Sequence, residues 1–279
     1  MEFVTRGNRL HYRCWWVEGA LGVVVIAHGL GEHGGRYRQL AQFLNSAGFS
    51  VYALDHYGHG LSEGRRGHIE DFAFYSEDLH HFIRLVKKDN SGRTLHLLGH
   101  SMGGVIACGT AIRFGGIDSL ILSAPGIRGC EEPAGVELWL VRRLVSLLPR
   151  LALPNRVDPR WLSHDESVVE SYNTDDLVYG RISLQWFDAF LREREYLYPR
   201  LAQITEPCLM LLPDSDRIVD SATSRDWFAH LGSKSKVLEL FPSAYHEVFN
   251  EPEDGPRARE LLLEHLKAVA PMAASAVAG

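Results

Sequence analysis

The residues that could do chemistry begin with "TLHLLGHSMGGVIACGTAIRF", residues 94–114, where Gly99-His100-Ser101-Met102-Gly103 fits the pattern G-x-S-x-G. Thr94 to Leu98 read as a short buried strand and Met102 to Phe114 carry a helical pattern. A serine at such a strand-to-helix turn holds its hydroxyl out above a sheet, where it can attack an acyl carbon. The bland alternative is a serine that helps to cap the helix behind it. The alcohol is a poor nucleophile near neutral pH, so the chemical reading demands a base and an acid that orients the base.

The chain order Ser, then Asp or Glu, then His supplies both. "LLPDSDRIVD" puts acidic residues just past an apolar strand, and "LFPSAYHEVFNE" puts His246 in the loop after the final strand. Asp216 is the expected acid, because the apolar pair Ile218-Val219 after it would fix the turn; Asp214 is the main rival, with Asp220 close by. Among the other histidines, His230 ends a helix and His265 sits within one, positions unsuited to a loop-borne base. The charge that develops on a carbonyl oxygen needs backbone N–H donors. Met102, next after the serine, offers one, and "IAHGLGEHGGRY" offers the second through Leu30, after His28-Gly29 turns the chain. That glycine-rich segment lacks both the Lys-Ser/Thr ending of a phosphate loop and the spacing of a dinucleotide site.

The elements that must position these groups alternate between strand and helix. "EFVT", "RGN" and "RLHYRCWWV" predict an opening hairpin, and "GVVVIAHGL" a central parallel strand covered on both faces. Further strands are expected at "FSVYALDHYGHG", around 94–98, and at "SLILSAPG", "PCLMLLPDSD" and "KVLELFPSA". Helices are expected at "YRQLAQFLNSAG", closed by its glycine, and over roughly 73–88, 102–114, 221–231 and 256–270. The pattern predicts an α/β fold: a mostly parallel eight-stranded sheet flanked by helices, with a helical cap inserted after the sixth strand. The core is expected over 1–126 and 201–279 and the cap over 127–200, a stretch in which no strand is expected. In it "VELWLVRRLVSLL" is apolar around most of its circumference; the open alternatives are a pocket-lining helix that touches a membrane or micelle, and plain core packing.

With 279 residues, 46% hydrophobic, 23% charged and a net charge of −6, this is the composition of a soluble globular protein with no basic stripe for nucleic acid. Four scattered cysteines, with Cys108 and Cys208 in apolar runs, fit buried thiols in a reducing compartment. The N-terminus has no signal-peptide layout and no apolar run approaches a membrane span, so a cytoplasmic location is expected. The tail "APMAASAVAG" is expected to fray. His28, His33, His56 and His59 with Asp55 lack the order of a metallohydrolase motif, so neither metal nor cofactor is expected.

Together the segments resemble the α/β-hydrolase fold and, within it, the monoacylglycerol lipase and lysophospholipase group. "HGLGEHGGRY" is similar to that group's oxyanion segment, "DHYGHGLSEGRRGHIEDFAFYSEDL" to its following loop and helix, and "LLGHSMGG" to its serine turn. "DSDRIVD" and "AYHEVFNE" match its acid and histidine loops, and "SYNTDDLVY" its cap, with Asp176 where proline is usual. The resemblance implies hydrolysis of a small-molecule acyl ester or lipid, with Ser101, Asp216 and His246 catalytic and Leu30 and Met102 in the oxyanion hole. It also implies that Arg36 and Tyr172 lie near the alcohol end of the ester; the alternative is Arg36 paired with a carboxylate and Tyr172 packed in the cap. Where some members carry a second histidine three residues after the first, this chain has Phe249. The rivals are a lysophospholipase, a general carboxylesterase, a proline iminopeptidase using cap carboxylates such as Glu131, Glu132, Asp165 and Glu166, and a non-catalytic receptor of the same fold.

Overall fold

Runs of β-branched and leucine residues with no polar alternation can be stable only where both faces are covered. The sequence has several, and they form the middle of the sheet. In the computed structural model, which describes the backbone of residues 1–276 and the side chains of 1–269, the strands are β1 (Glu2–Thr5), β2 (Asn8–Trp15), β3 (Gly22–Ala27), β4 (Phe49–Leu54), β5 (Thr94–His100), β6 (Ser119–Ser123), β7 (Ala152–Pro154), β8 (Arg181–Ser183), β9 (Cys208–Pro213) and β10 (Lys236–Phe241). Eight of them form one sheet in the order β1-β2-β4-β3-β5-β6-β9-β10. Only β1 and β2 run antiparallel to their neighbours; from β4 to β10 every pairing is parallel. Every residue of β3, β4, β5, β6 and β9 is buried. The opening hairpin turns through Arg6 and Gly7, both at positive φ (48° and 77°), as a two-residue turn between twisted strands requires.

The helices are α1 (Arg38–Ser46), α2 (Ala73–Asp89), α3 (Met102–Phe114), α4 (Gly135–Val145), α5 (Glu166–Thr174), α6 (Leu184–Leu197), α7 (Ser221–His230) and α8 (Asp254–Ala276). They split the core in two. One apolar cluster gathers α2, α3 and α6 on one face of the sheet, and the other gathers α1 and α8 on the opposite face. Cys108 and Cys208 lie in the first cluster, where burial pushes the Cys108 thiol up to about 12.

Between β6 and β9 the chain leaves the sheet and builds α4, β7, α5, β8 and α6 over its carboxyl edge. Here the sequence reading needs correction. The stretch expected to lack strands contains the antiparallel pair β7–β8, Leu153 opposite Ile182. Each strand has three residues, and one contains Pro154, too short for an alternating pattern to show. The last helix also runs beyond its expected end, to Ala276; the tail's final residues, 277–279, lie outside the described residues.

Candidate active site

Ser101 stands between β5 and α3 with φ 51° and ψ −122°, a conformation that costs a non-glycine residue about 1–3 kcal/mol. The surroundings hold it there. Ser101 N–H donates to Ser123 O (3.1 Å), and Ser101 O accepts from Gly104 N–H and Gly126 N–H (2.8 Å each). The flanking glycines are required by space: a Cβ on Gly103 would strike the Ala27 carbonyl, and one on Gly99 the Gly103 carbonyl.

Asp216 and His246 come from the loops after β9 and β10. Their side chains are 1% and 4% exposed, and His246 Nδ1 donates to Asp216 Oδ2 at 2.7 Å. The other carboxylate oxygen accepts from Ile218 N–H (2.8 Å) and Val219 N–H (3.0 Å), so the apolar pair secures the acid through its amides. Asp214 is 40% exposed and paired with Arg225, and Asp220 accepts from Ala222 N–H at the start of α7. With Nδ1 donating, Nε2 keeps the lone pair of a base. Burial disfavours a charged His246, but the charge and hydrogen bond of Asp216, with Glu247 and Glu32 behind them, outweigh it and raise the imidazole above its ordinary value. The His246 ring lies 4.8 Å, centroid to centroid, from that of His100, the residue before Ser101. Ser101 Oγ makes no hydrogen bond to the imidazole among the described residues, a separation usual before substrate tightens such a site.

Leu30, Ser101, Met102 and Gly126 line one cavity of about 840 Å³. Met102 is the first residue of α3, so its N–H has no acceptor within the helix. Leu30 N–H has no acceptor among the described residues either. The loop carrying Leu30 is braced by Glu32, buried, which accepts from Gly29 N–H (2.5 Å), Tyr37 OH (2.8 Å) and Arg36 (2.7 Å). Burial alone would raise the Glu32 carboxyl; Arg36, His100, His28 and the Gly29 amide hold it well below the carboxylate range instead.

Arg36 and Tyr172 do not line this cavity. Arg36 forks onto Glu247 (2.5 and 3.0 Å) as well as Glu32, and the Tyr172 ring covers its guanidinium at 4.9 Å. Two carboxylates thus already engage the guanidinium. Sequence reasoning gave no role to Glu32 and Glu247, although Glu32 and Arg36 stand at the four-residue spacing of an ion pair. The imidazoles of His28, His56 and His59 pack on one another, with centroids 4.5 and 5.1 Å from His28.

A serine at a strained strand-to-helix turn, an Asp–His pair on the last two strand loops and, among the described residues, two amides without an acceptor at one sheet edge define an α/β-hydrolase. The Hydrolase_4 family, described as serine aminopeptidase S33, matches residues 19–253, and the chain belongs to it. The monoacylglycerol lipase of Mycolicibacterium smegmatis is 35% identical over 250 residues, 88% of this chain and 89% of that protein. The monoglyceride lipase of Rattus norvegicus is 33% identical over 249 residues, 88% of this chain and 82% of that protein. The crystal structure of Paleococcus ferrophilus monoacylglycerol lipase superposes with a TM-score of 0.82 at 33% identity, covering 93% of this chain and 99% of that one.

Proposed function

We propose that this chain is a serine ester hydrolase that cleaves monoacylglycerols through an acyl-enzyme. Ser101 Oγ attacks the ester carbon as His246 Nε2 takes its proton, with Asp216 fixing the imidazole and stabilising its charge. The carbonyl oxygen, now negative, lies against the Leu30 and Met102 amides. His246 returns the proton to the departing alcohol, glycerol for this substrate, and the acyl group stays on Ser101. Water, deprotonated by His246, then attacks that acyl carbon; the fatty acid leaves and Ser101 recovers its proton. The observation that carries the reading is the buried 2.7 Å Asp216–His246 hydrogen bond on the sheet edge that bears Ser101.

The cavity supports an acyl substrate. Its volume lies within the range of small-molecule sites, and Val141, Leu153, Trp186, Phe187 and Phe190 give it an apolar wall under the cap. An amine-binding peptidase is less well served: Glu132 is paired with Arg194 (2.6 and 2.9 Å) and Asp165 accepts from Ser167 N–H at the start of α5. Arg36 and Tyr172 act behind the site, holding the Leu30 and His246 loops together through Glu32 and Glu247. The cap, residues 127–200, also turns an apolar rim outward. α4 buries none of its residues, and Trp139, Leu140, Leu147 and Leu148 are exposed, a surface suited to meeting a membrane or micelle. Among the described residues no helix is long and apolar enough to cross a membrane.

The test is a rate profile from p-nitrophenyl acetate to p-nitrophenyl palmitate, with 1-monoacylglycerol and lysophosphatidylcholine alongside. The expected result is a maximum at medium to long chains, monoacylglycerol ahead of the lysophospholipid, and no turnover by Ser101→Ala at a nearly unchanged Tm. A maximum at the acetyl ester would point to a small-ester carboxylesterase and overturn the lipid reading.

A further inference from the structure

The loop that carries Leu30 is held from two sides. On the core side His28 Nδ1 donates to Gly29 O (2.8 Å) while its Nε2 accepts from His56 N–H (3.0 Å), and Glu32 takes the Gly29 amide. On the other side the partners come from the cap. Tyr179 N–H donates to Gly31 O at 3.0 Å. The backbones touch closely here: Gly31 has φ +75°, and a Cβ on it would strike the Tyr179 carbonyl. His33 Nδ1 accepts from Gly35 N–H (3.1 Å), which leaves Nε2–H to donate to Asp175 Oδ2 at 2.8 Å. Asp175 Oδ1 accepts from Leu177 N–H (2.8 Å), shaping the turn that delivers Tyr179. Tyr179 OH reaches His59 Nε2 at 2.6 Å, and the His59 ring packs against His28, where the loop begins.

We infer that Asp175 and Tyr179 are positioning residues for the oxyanion hole: seated by His33 and His59, the segment from Asp175 to Ser183 sets the aim of the Leu30 amide. The inference rests on the proposed function, in which Leu30 binds the oxyanion. Neither side chain lines the cavity, so both act through the loop and not on the ester. A loop tied only on the core side would leave the peptides around Gly31, the freest residue in it, able to rotate. An oxyanion donor is valuable because it is aimed before charge develops, so loosening its support should cost turnover more than substrate binding.

Tyr179→Phe and Asp175→Ala test this, measured as kcat and KM on p-nitrophenyl butyrate and as Ki for an alkyl boronic acid, whose serine adduct mimics the tetrahedral intermediate. Both variants are expected to lower kcat about tenfold, a fraction of what outright removal of such a donor costs. Boronate affinity should weaken by the same factor, with KM within about twofold. Asp175→Asn, whose amide oxygen still accepts from His33, should recover part of the loss, and it serves as the variant of record if Asp175→Ala does not fold. Glu170→Ala, exposed on α5, should match the parent. Wild-type kcat and boronate affinity in Tyr179→Phe, or a rise in KM alone in Tyr179→Phe and Asp175→Ala, would overturn the inference while leaving the proposed function standing. A parent enzyme that neither turns over esters nor binds the boronate would remove both.

Discussion

The two long helices of the cap, α4 and α6, have opposite relations to the rest of the molecule. By sequence α4 is the more apolar, "GVELWLVRRLV" against "LQWFDAFLREREYL", and yet it is α6 that is buried. Seven residues of α6 lie in the interior, and Trp186 and Phe190 stack 5.3 Å apart over Phe72. Two charged staples fix it: Arg113 on α3 forks onto Glu193 (2.7 Å twice), and Arg194 reaches Glu132 and the Ile127 carbonyl. α4 buries no residue, and the ion pair that ties it to α6, Arg142–Glu195, is 45% and 63% exposed, a class worth about 1 kcal/mol or less. Hydrophobic content alone therefore does not say what is inside. Complementary partners do: α6 has them on α2 and α3, while α4 rests on α6 and on the cavity with its outer face uncovered.

That contrast predicts where a substitution will be felt. The largest effect belongs to the buried part, where the proposed reacting groups sit: Asp216→Asn should lower kcat by about 10⁴-fold, as in the analogous protease triad, with Tm little changed. Asp214→Asn should leave activity within about twofold, and the reverse ranking in steady-state assays would move the acid assignment. Next in size, Glu193→Gln strands Arg113 in the interior and should cost about 3–5 kcal/mol of stability by urea unfolding. Its counterpart on the outer helix, Arg142→Ala, should cost less than about 0.5 kcal/mol. Equal costs for the two would erase the distinction between the helices. Smallest on the folded protein, Trp139→Ser with Leu147→Ser should keep Tm and the rate on p-nitrophenyl acetate, while the rate on emulsified monoacylglycerol falls about threefold as apolar contact area is lost. A fall in Tm comparable to that of Glu193→Gln would mean α4 packs after all.

Much of this was legible in the sequence, for identifiable reasons. The central strands declare themselves because burial on both faces forces unbroken apolar runs, and the serine turn because only glycines fit beside it. Asp216 is preferred to Asp214 because the apolar pair Ile218-Val219 would fix the turn after it; that the pair's amides bond the carboxylate shows only in three dimensions. The rest depended on contacts between distant segments. The pair β7–β8 is too short to leave a period. The burial of α6 in place of α4 follows from what lies opposite each, which no single helix encodes. Arg36 carries the same charge whatever it faces, and its pairing with Glu247, 211 positions away, leaves no trace in the local sequence.

The cap departs the sheet after β6 and rejoins it at β9, and those two strands are hydrogen-bonded neighbours, Leu120 opposite Cys208. Such adjacency means that the whole intervening stretch could be exchanged without rethreading the scaffold. The exchange has a condition, since the bonds from Tyr179 to Gly31 and from Ser183 to Gly67 cross that boundary. A transplanted segment would have to bring its own equivalents of those stitches; on the positioning role inferred for Tyr179, one without them is expected to turn over more slowly.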